Sequence, residues 1–327
     1  MSDHTDTPSG TPPSHRRILV IKHGAFGDFV MALGAFQALR RHHAGDHLVL
    51  QTIPSLVPLA RASGWFDEVW TDPREKGLAA LLATRRQLKG GRFDLVYDLQ
   101  SSDRTGLYFQ LLRPFPPRWS GTAWGCSDPD PNPNRNATHG TDRYAMQLAS
   151  MGIPQVPPPD AGWITADVSR FALPDRYVLL APGCAPPRPE KRWPEAQYAD
   201  LANRLAARGL TPVLVGTKSE AETTAAIAAA CPQAIDLTDR TSLFELGGIA
   251  RQAAGAVGND TGPMHLLAVV GCPSVVLYSH ASTPTQSGQR GPKVTILREP
   301  DLKDLPAGRV EAALLALMGD LPSPGSR

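Results

Sequence analysis

Cysteine is scarce in this 327-residue chain, and the four present, Cys126, Cys184, Cys231 and Cys272, lie far apart with no CxxC pair. A disulfide framework or a thiolate zinc site needs paired spacing, so free or buried thiols and no metal are expected. An excess of either charge is also missing: 33 Lys and Arg against 31 Asp and Glu leave a net charge of +2, which makes no case for nucleic acid as a partner. The longest apolar segment near the C-terminus is interrupted by Gly271 and Pro273 and falls short of the roughly 18 residues of a membrane span. The opening MSDHTDTPSGTPPSHRR has no apolar core, so residues 1–15 read as a disordered tail, not a secretory signal. Two cofactor fingerprints are lacking as well. HGAFGD (23–28) has the spacing GxxG but not GxGxxG, and the next strand ends in Gln51 and Thr52 without the acid that would hold a ribose. With no GxxxxGK[ST] either, nicotinamide chemistry and P-loop chemistry are both disfavoured.

What is present is a 42 % apolar chain in which short β-branched runs alternate with Ala- and Leu-rich segments. RILVIKH (17–23), HLVLQT (47–52) and FDLVYDLQ (93–100) read as strands of a first half, with helices over 28–43 and LAALLATRRQLKGG. YVLLAP (177–182), TPVLVG (211–216), AIDLT, GAVGN and SVVLYS read as strands of a second half. Helices are expected from Pro194 to Gly209, over 220–230, and in SLFELGGIARQA and GPMHLLAVVG. Such alternation predicts an α/β protein of two doubly wound parallel sheets. The stretch from about 121 to 175, rich in Pro and Asn, reads as loop, so the expected domains are 16–165 and 166–327 with a cleft between them. Ligands of such sheets bind outside the carboxyl ends of the strands.

Several residues at those ends carry two readings. Asp28 opens a helix, as a cap or as a general base. Lys191, in EKRWP, is a solvated surface charge or a neutraliser of a diphosphate near a helix N-terminus. Glu220 is a helix-start carboxylate or a ribose holder. In NDTGPMH, Asp260 and Thr261 can cap, Gly262 allows close backbone approach, and Pro263 begins a helix whose free N–H groups suit an anion. His265 in its first turn is a packed residue or a phosphate donor. Ser242 and Glu245 form a capping box only. Basic residues at Arg74, Lys76, Arg85, Arg86, Lys89 and Arg104 make a solvated face or a landing place for a polyanion.

HGAFGD, PGC…KRWP and VGNDTGPMHLLAVVG, in this order, resemble the pattern of glycosyltransferase family 9, the ADP-heptose:lipopolysaccharide heptosyltransferases, from about Arg17 to Leu297. The resemblance implies a GT-B fold, two Rossmann-like domains facing a central cleft, with the acceptor in the N-terminal domain and the nucleotide sugar in the C-terminal one. It implies an inverting transferase that needs no metal or bound cofactor and takes ADP-heptose as substrate. On this pattern Asp28 falls on the catalytic base. Lys191, Glu220, Asp260, Thr261, Gly262 and His265 fall on the donor site, with Trp193 beside Lys191. Arg74, Lys76 and Arg104 are the candidates for the anionic lipopolysaccharide-core acceptor. A cytoplasmic location, with contact at the inner membrane face, follows from that acceptor. The chain departs from the commoner pattern at Cys184 and at Ser279, His280 and Ala281. A family member with another nucleotide sugar or a protein acceptor, and a non-catalytic nucleotide-sugar-binding protein, are the alternatives.

Overall fold

The computed structural model describes residues 15–72, 75, 77–184 and 188–319. Most of the expected tail therefore lies outside the described residues, as do Arg74 and Lys76. In chain order the strands are β1 (Arg17–Ile21), β2 (His47–Thr52), β3 (Glu68–Thr71), β4 (Leu95–Asp98), β5 (Arg118–Gly121), β6 (Asp128–Pro129), β7 (Tyr177–Ala181), β8 (Thr211–Leu214), β9 (Ile235–Asp236), β10 (Gly255–Asn259), β11 (Ser274–Tyr278) and β12 (Val294–Arg298). The helices are α1 (Phe26–Met31), α2 (Leu33–His42), α3 (Val57–Ala62), α4 (Leu78–Gly90), α5 (Asp103–Leu111), α6 (Gly140–Ser150), α7 (Glu195–Ala207), α8 (Ala221–Ala230), α9 (Leu243–Gln252), α10 (Gly262–Val269), α11 (Pro284–Ser287) and α12 (Ala307–Met318). None is long and apolar enough to cross a membrane.

The strands form two six-stranded parallel sheets, ordered β3-β2-β1-β4-β5-β6 and β12-β11-β10-β7-β8-β9. Each is the doubly wound order 3-2-1-4-5-6. Register is set by continuous apolar runs: Ile18 pairs with Leu48 and Leu95, and Val257 pairs with Leu180 and Val275. Strands covered on both faces tolerate such runs, and Ile18–Ile21 and Val178–Leu180 are fully buried. In the first sheet Leu19, Ile21, Val49 and Val96 pack with Phe109 and Trp119. In the second, Val178, Leu180, Val257 and Leu277 pack with Trp193, Tyr198 and Leu201. Burial of each such aliphatic side chain contributes about 1.5–3 kcal/mol before entropy is charged.

Contacts group the chain into two units, one of Arg40–Asp130 with the residues up to Lys22, the other of His23–Leu39 with the residues from Pro131 onward. The division differs from a boundary at 165. Ala161, Gly162 and Ile164 give their carbonyls to Arg251 of α9, at 2.6, 3.0 and 3.3 Å, and His139 donates to the Gly288 carbonyl at 2.8 Å. Two expectations of local structure change. The helix over 28–43 is two helices, because the ladder tightens where the Ala32 N–H bonds the Phe29 carbonyl at 3.0 Å. The stretch 121–175 contains α6, whose buried face is Tyr144, Gln147 and Leu148; a polar residue in mid-face hid the helical period.

Candidate functional site

The second sheet changes winding direction between β7 and β10, and the site is built at their carboxyl ends. Asn259, the last residue of β10, is wholly buried. Its side-chain oxygen accepts from the Trp193 N–H at 3.0 Å and the Tyr198 hydroxyl at 3.2 Å. Its nitrogen donates to the carbonyls of Pro182 at 2.6 Å and Gly183 at 3.4 Å. A primary amide has two donors and two acceptor sites, so this one is saturated. It ties the Pro-Gly-Cys loop after β7 and the Lys-Arg-Trp-Pro loop before α7 to one strand end.

That clamp places Lys191 beside Asp260. The ammonium donates to Oδ2 at 2.7 Å, and Gln289 Nε2 donates to Oδ1 at 3.3 Å. Burial pushes the Asp260 carboxyl up, but the Lys191 hydrogen bond and charge outweigh it and hold the group below its ordinary value. The carboxyl is therefore ionised at neutral pH. An ammonium has three donors, so one spent on Asp260 leaves two for a ligand. Thr261 is the N-cap of α10 without a side-chain cap bond, and Pro263 in the first turn has no N–H to satisfy.

A cavity of about 250 Å³ opens on this end of the sheet, with Val215, Leu243 and Leu246 as apolar wall and Glu220, Ser242 and Thr261 as polar rim. Cys184 also lines it; its thiol donates to the Arg188 carbonyl at 3.1 Å and accepts from Arg192 Nε at 3.4 Å. Glu220 does what a helix-start carboxylate does: its Oε2 accepts from the Thr217 N–H at 2.8 Å and hydroxyl at 2.7 Å. It also faces Gly183, where a Cβ would lie 2.5 Å from its Cγ, so a larger residue there would push the Glu220 carboxylate aside. Ser242 and Glu245 form the expected capping box, at 3.2 and 2.8 Å.

Two helix starts converge on the same unit. A Cβ at Gly262 would lie 3.2 Å from the backbone nitrogen of Gly27, and one at Gly27 would lie 2.6 Å from the His265 ring. His265 is buried by that contact. Burial pulls its pKa down to about 4, against the opposing charges of Asp260 and Asp28, so the imidazole is neutral at pH 7. Asp28 is half-buried in the first turn of α1, with Oδ2 accepting from the Ala25 N–H at 3.1 Å. Asp28, Lys191, Glu220, Asp260, Thr261, Gly262 and His265 thus come together in one unit.

Arg104 belongs to the other unit. Its Nη2 and Nε donate to buried Asp72 at 2.8 and 3.1 Å, and the Tyr108 hydroxyl also binds that carboxylate. Among the described residues no group of three His, Cys, Asp or Glu converges on a metal position. Asn259 is the residue to which the sequence assigned no part. Its signal was an amide at the end of a buried strand, where four hydrogen-bonding positions must all be filled.

Two doubly wound sheets, with a polar, cation-bearing pocket at the switch point of the second, define the GT-B type of nucleotide-sugar glycosyltransferase. The pattern of glycosyltransferase family 9 (heptosyltransferase) matches residues 132–314, and the chain belongs to that family, hence to the glycosyltransferases. It is 32 % identical over 115 residues to lipooligosaccharide heptosyltransferase 2 of Haemophilus influenzae, a match spanning about a third of that protein's length (33 %) and 34 % of this chain. It is 26 % identical over 304 residues to lipooligosaccharide heptosyltransferase 2 of Haemophilus ducreyi, covering 84 % of this chain and 87 % of that one. Its fold matches the structure of Escherichia coli ADP-heptose lipopolysaccharide heptosyltransferase II with a TM-score of 0.76 at 22 % identity, over 92 % of this chain and 98 % of the other.

Proposed function

We propose that this chain moves heptose from ADP-heptose to a lipopolysaccharide inner-core acceptor, with inversion and without a metal, at the cytoplasmic face of the inner membrane. The observation that carries the reading is Lys191, held by Asp260 beside a pocket rimmed by Glu220 and Thr261. In the mechanism, Asp28 takes the proton of the acceptor hydroxyl as its oxygen bonds the anomeric carbon. The bond from that carbon to the diphosphate oxygen breaks on the opposite face, through an oxocarbenium-like state. The charge arriving on ADP is met by the two remaining Lys191 donors and the N-terminus of α10. Glu220 holds the ribose, and the apolar wall of Val215, Leu243 and Leu246 receives the base. The acceptor lies on the first unit, where Arg74, Lys76 and Arg104 are its candidate contacts.

A thermal-shift series with ADP, UDP, GDP and CDP tests the donor. A nucleotide at about 100 times its Kd stabilises by roughly 2.7 kcal/mol, and each kcal/mol moves Tm by about 2–4 °C at this size. ADP alone should give the shift, and transfer from ADP-heptose should persist in EDTA with the product anomer inverted by NMR. A shift with UDP or GDP instead would replace the donor. Binding without turnover of any donor would favour the non-catalytic alternative.

A further inference from the structure

Large apolar side chains are exposed mainly in one place. Phe115 is 90 % exposed, Trp124 81 %, Leu78 73 %, Leu82 54 % and Leu107 41 %, and all five belong to the first unit. Their supports join them into one surface. Arg85 Nε, on α4, donates to the Leu111 carbonyl at the end of α5 at 2.9 Å. Gln110, one residue earlier, donates to the Trp124 carbonyl at 2.9 Å. The Arg113 guanidinium stands 5.6 Å from the Phe109 ring centroid and 5.4 Å from that of Trp124. Leu78, Leu82 and Arg86 follow each other at four-residue spacing along α4, on one stripe. Apolar surface of this extent on a soluble unit marks an interaction site.

Along α4 every charged side chain is basic, Arg92 follows it and Arg113 follows α5; the exposed acid Asp103 stands at the start of α5. Arg86, Lys89, Arg92 and Arg113 are exposed, and none has a carboxylate partner among the described residues. Lys89 and Arg113 also suit the carboxyl ends of their helices. That role explains neither a tryptophan nor a phenylalanine left bare beside them. Tryptophan and phenylalanine at headgroup depth, ringed by unpaired cations, match an anionic lipid surface: the rings enter the interface and the cations meet the phosphates. We infer that the face formed by α4, the end of α5 and the 113–124 loop docks on an anionic phospholipid bilayer. The reason for docking, delivery of a lipid-linked acceptor, rests on the proposed function; the docking itself does not.

The test is flotation of the full chain with vesicles of phosphatidylethanolamine containing roughly a quarter phosphatidylglycerol, set against vesicles without the anionic lipid. The wild type should float with the anionic vesicles and be released by salt, as the Debye length falls from about 10 Å at 0.1 M to 3 Å at 1 M. The double variant Phe115→Ser/Trp124→Ser should lower vesicle binding about tenfold or more without lowering Tm, since both rings are outside the core. Arg86→Glu with Lys89→Glu should cost about fivefold per charge removed, and more for reversal. Equal flotation of the Phe115/Trp124 variant, or of the wild type on uncharged vesicles, would overturn the inference. So would self-association that the same variant abolishes, because the face would then pair with a second copy. An acceptor stripped of its acyl chains separates the two claims. Its turnover should be unchanged in the Phe115/Trp124 variant, while loss of turnover in the wild type with flotation intact would fail the proposed function alone.

Discussion

The two sheets have the same strand order, yet their central strand ends are used differently. At the β7/β10 end, Asn259 reaches outward and fixes two other loops, and Asp260 fixes Lys191. At the β1/β4 end, Asp98 accepts from the N–H groups of Gln100 and Ser101 at 3.1 and 2.7 Å, and Lys22 donates to Gln100 Oε1 at 3.4 Å. These side-chain bonds stay within one turn or join the two strand ends to each other. Topology therefore provides two equivalent openings, and the side chains decide which one is assembled before a ligand arrives. A preassembled cationic pocket suits a diphosphate, whose charge is fixed. The proposed function leaves the other opening for an acceptor.

The largest effect expected from breaking this division falls on Asp28, which sits in the second unit but is proposed to serve the acceptor hydroxyl. Asp28→Asn keeps an acceptor for the Ala25 N–H, so the start of α1 should survive. Removing the base should lower kcat about 10²–10⁴-fold, while ADP affinity stays within about twofold. Single-turnover transfer and ADP titration read the two quantities separately. Undiminished kcat would remove Asp28 from the mechanism.

Asn259 tests whether the clamp matters as the geometry says. Asn259→Asp keeps both acceptor positions and loses the two donors to Pro182 and Gly183, leaving an unpaired charge in the core. Urea denaturation should show a loss of about 3 kcal/mol, from orphaned carbonyls and the buried carboxylate. The corresponding change in the first sheet, Gln100→Glu, should cost about 1 kcal/mol or less, since Gln100 is only partly buried. Equal losses would mean that the two strand ends do the same work.

Most of this division was legible in the residues. The parallel sheets followed from alternating apolar runs, and the residues of NDTGPMH stood out because a strand ran into Asp, Thr, Gly and Pro at a helix start. Short or half-exposed strands were not legible. β3, β5 and β6 span 4, 4 and 2 residues and carry Glu68, Arg118 and Asp128, so no period of two emerges from them. Partners distant in sequence were equally hidden. Asn259 and Trp193 are 66 residues apart, and nothing local says that they meet. Asp72 under Arg104 is another such case, and it alters what a lone basic residue means.

His265 sharpens the comparison through pH. The unfolded chain takes up its proton near the ordinary 6.5, the folded chain only near 4. Between those values the unfolded state holds more protons, so stability falls as pH drops through the window and is flat above it. The full swing is about 3 kcal/mol at 1.36 kcal/mol per pKa unit. His265→Asn has no such proton, and its stability should lack this slope between pH 6.5 and 4. Urea midpoints across that range check it; an identical slope in the variant would assign the acid sensitivity to other groups.

The smallest effect separates the two units most directly. If any well-placed cation could hold the nucleotide, Lys191→Ala and Arg104→Ala would weaken ADP alike. Lys191 offers donors beyond its bond to Asp260, and one charge-assisted hydrogen bond contributes about 1.5–3 kcal/mol, so loss of one such bond should weaken ADP about 10–100-fold. Part of that loss belongs to Asp260, whose buried carboxylate would be left without its cation and would repel the diphosphate. Lys191→Ala with Asp260→Asn should therefore recover some affinity, which a simple missing contact would not. Arg104 already gives Nε and Nη2 to Asp72, in the other unit, and its loss should leave ADP binding unchanged while affecting only an acceptor. Calorimetric titration of ADP into the three variants decides the matter. Weaker ADP binding in Arg104→Ala would show that the strand ends of the first sheet also contribute to the nucleotide, and the division between the sheets would have to be redrawn.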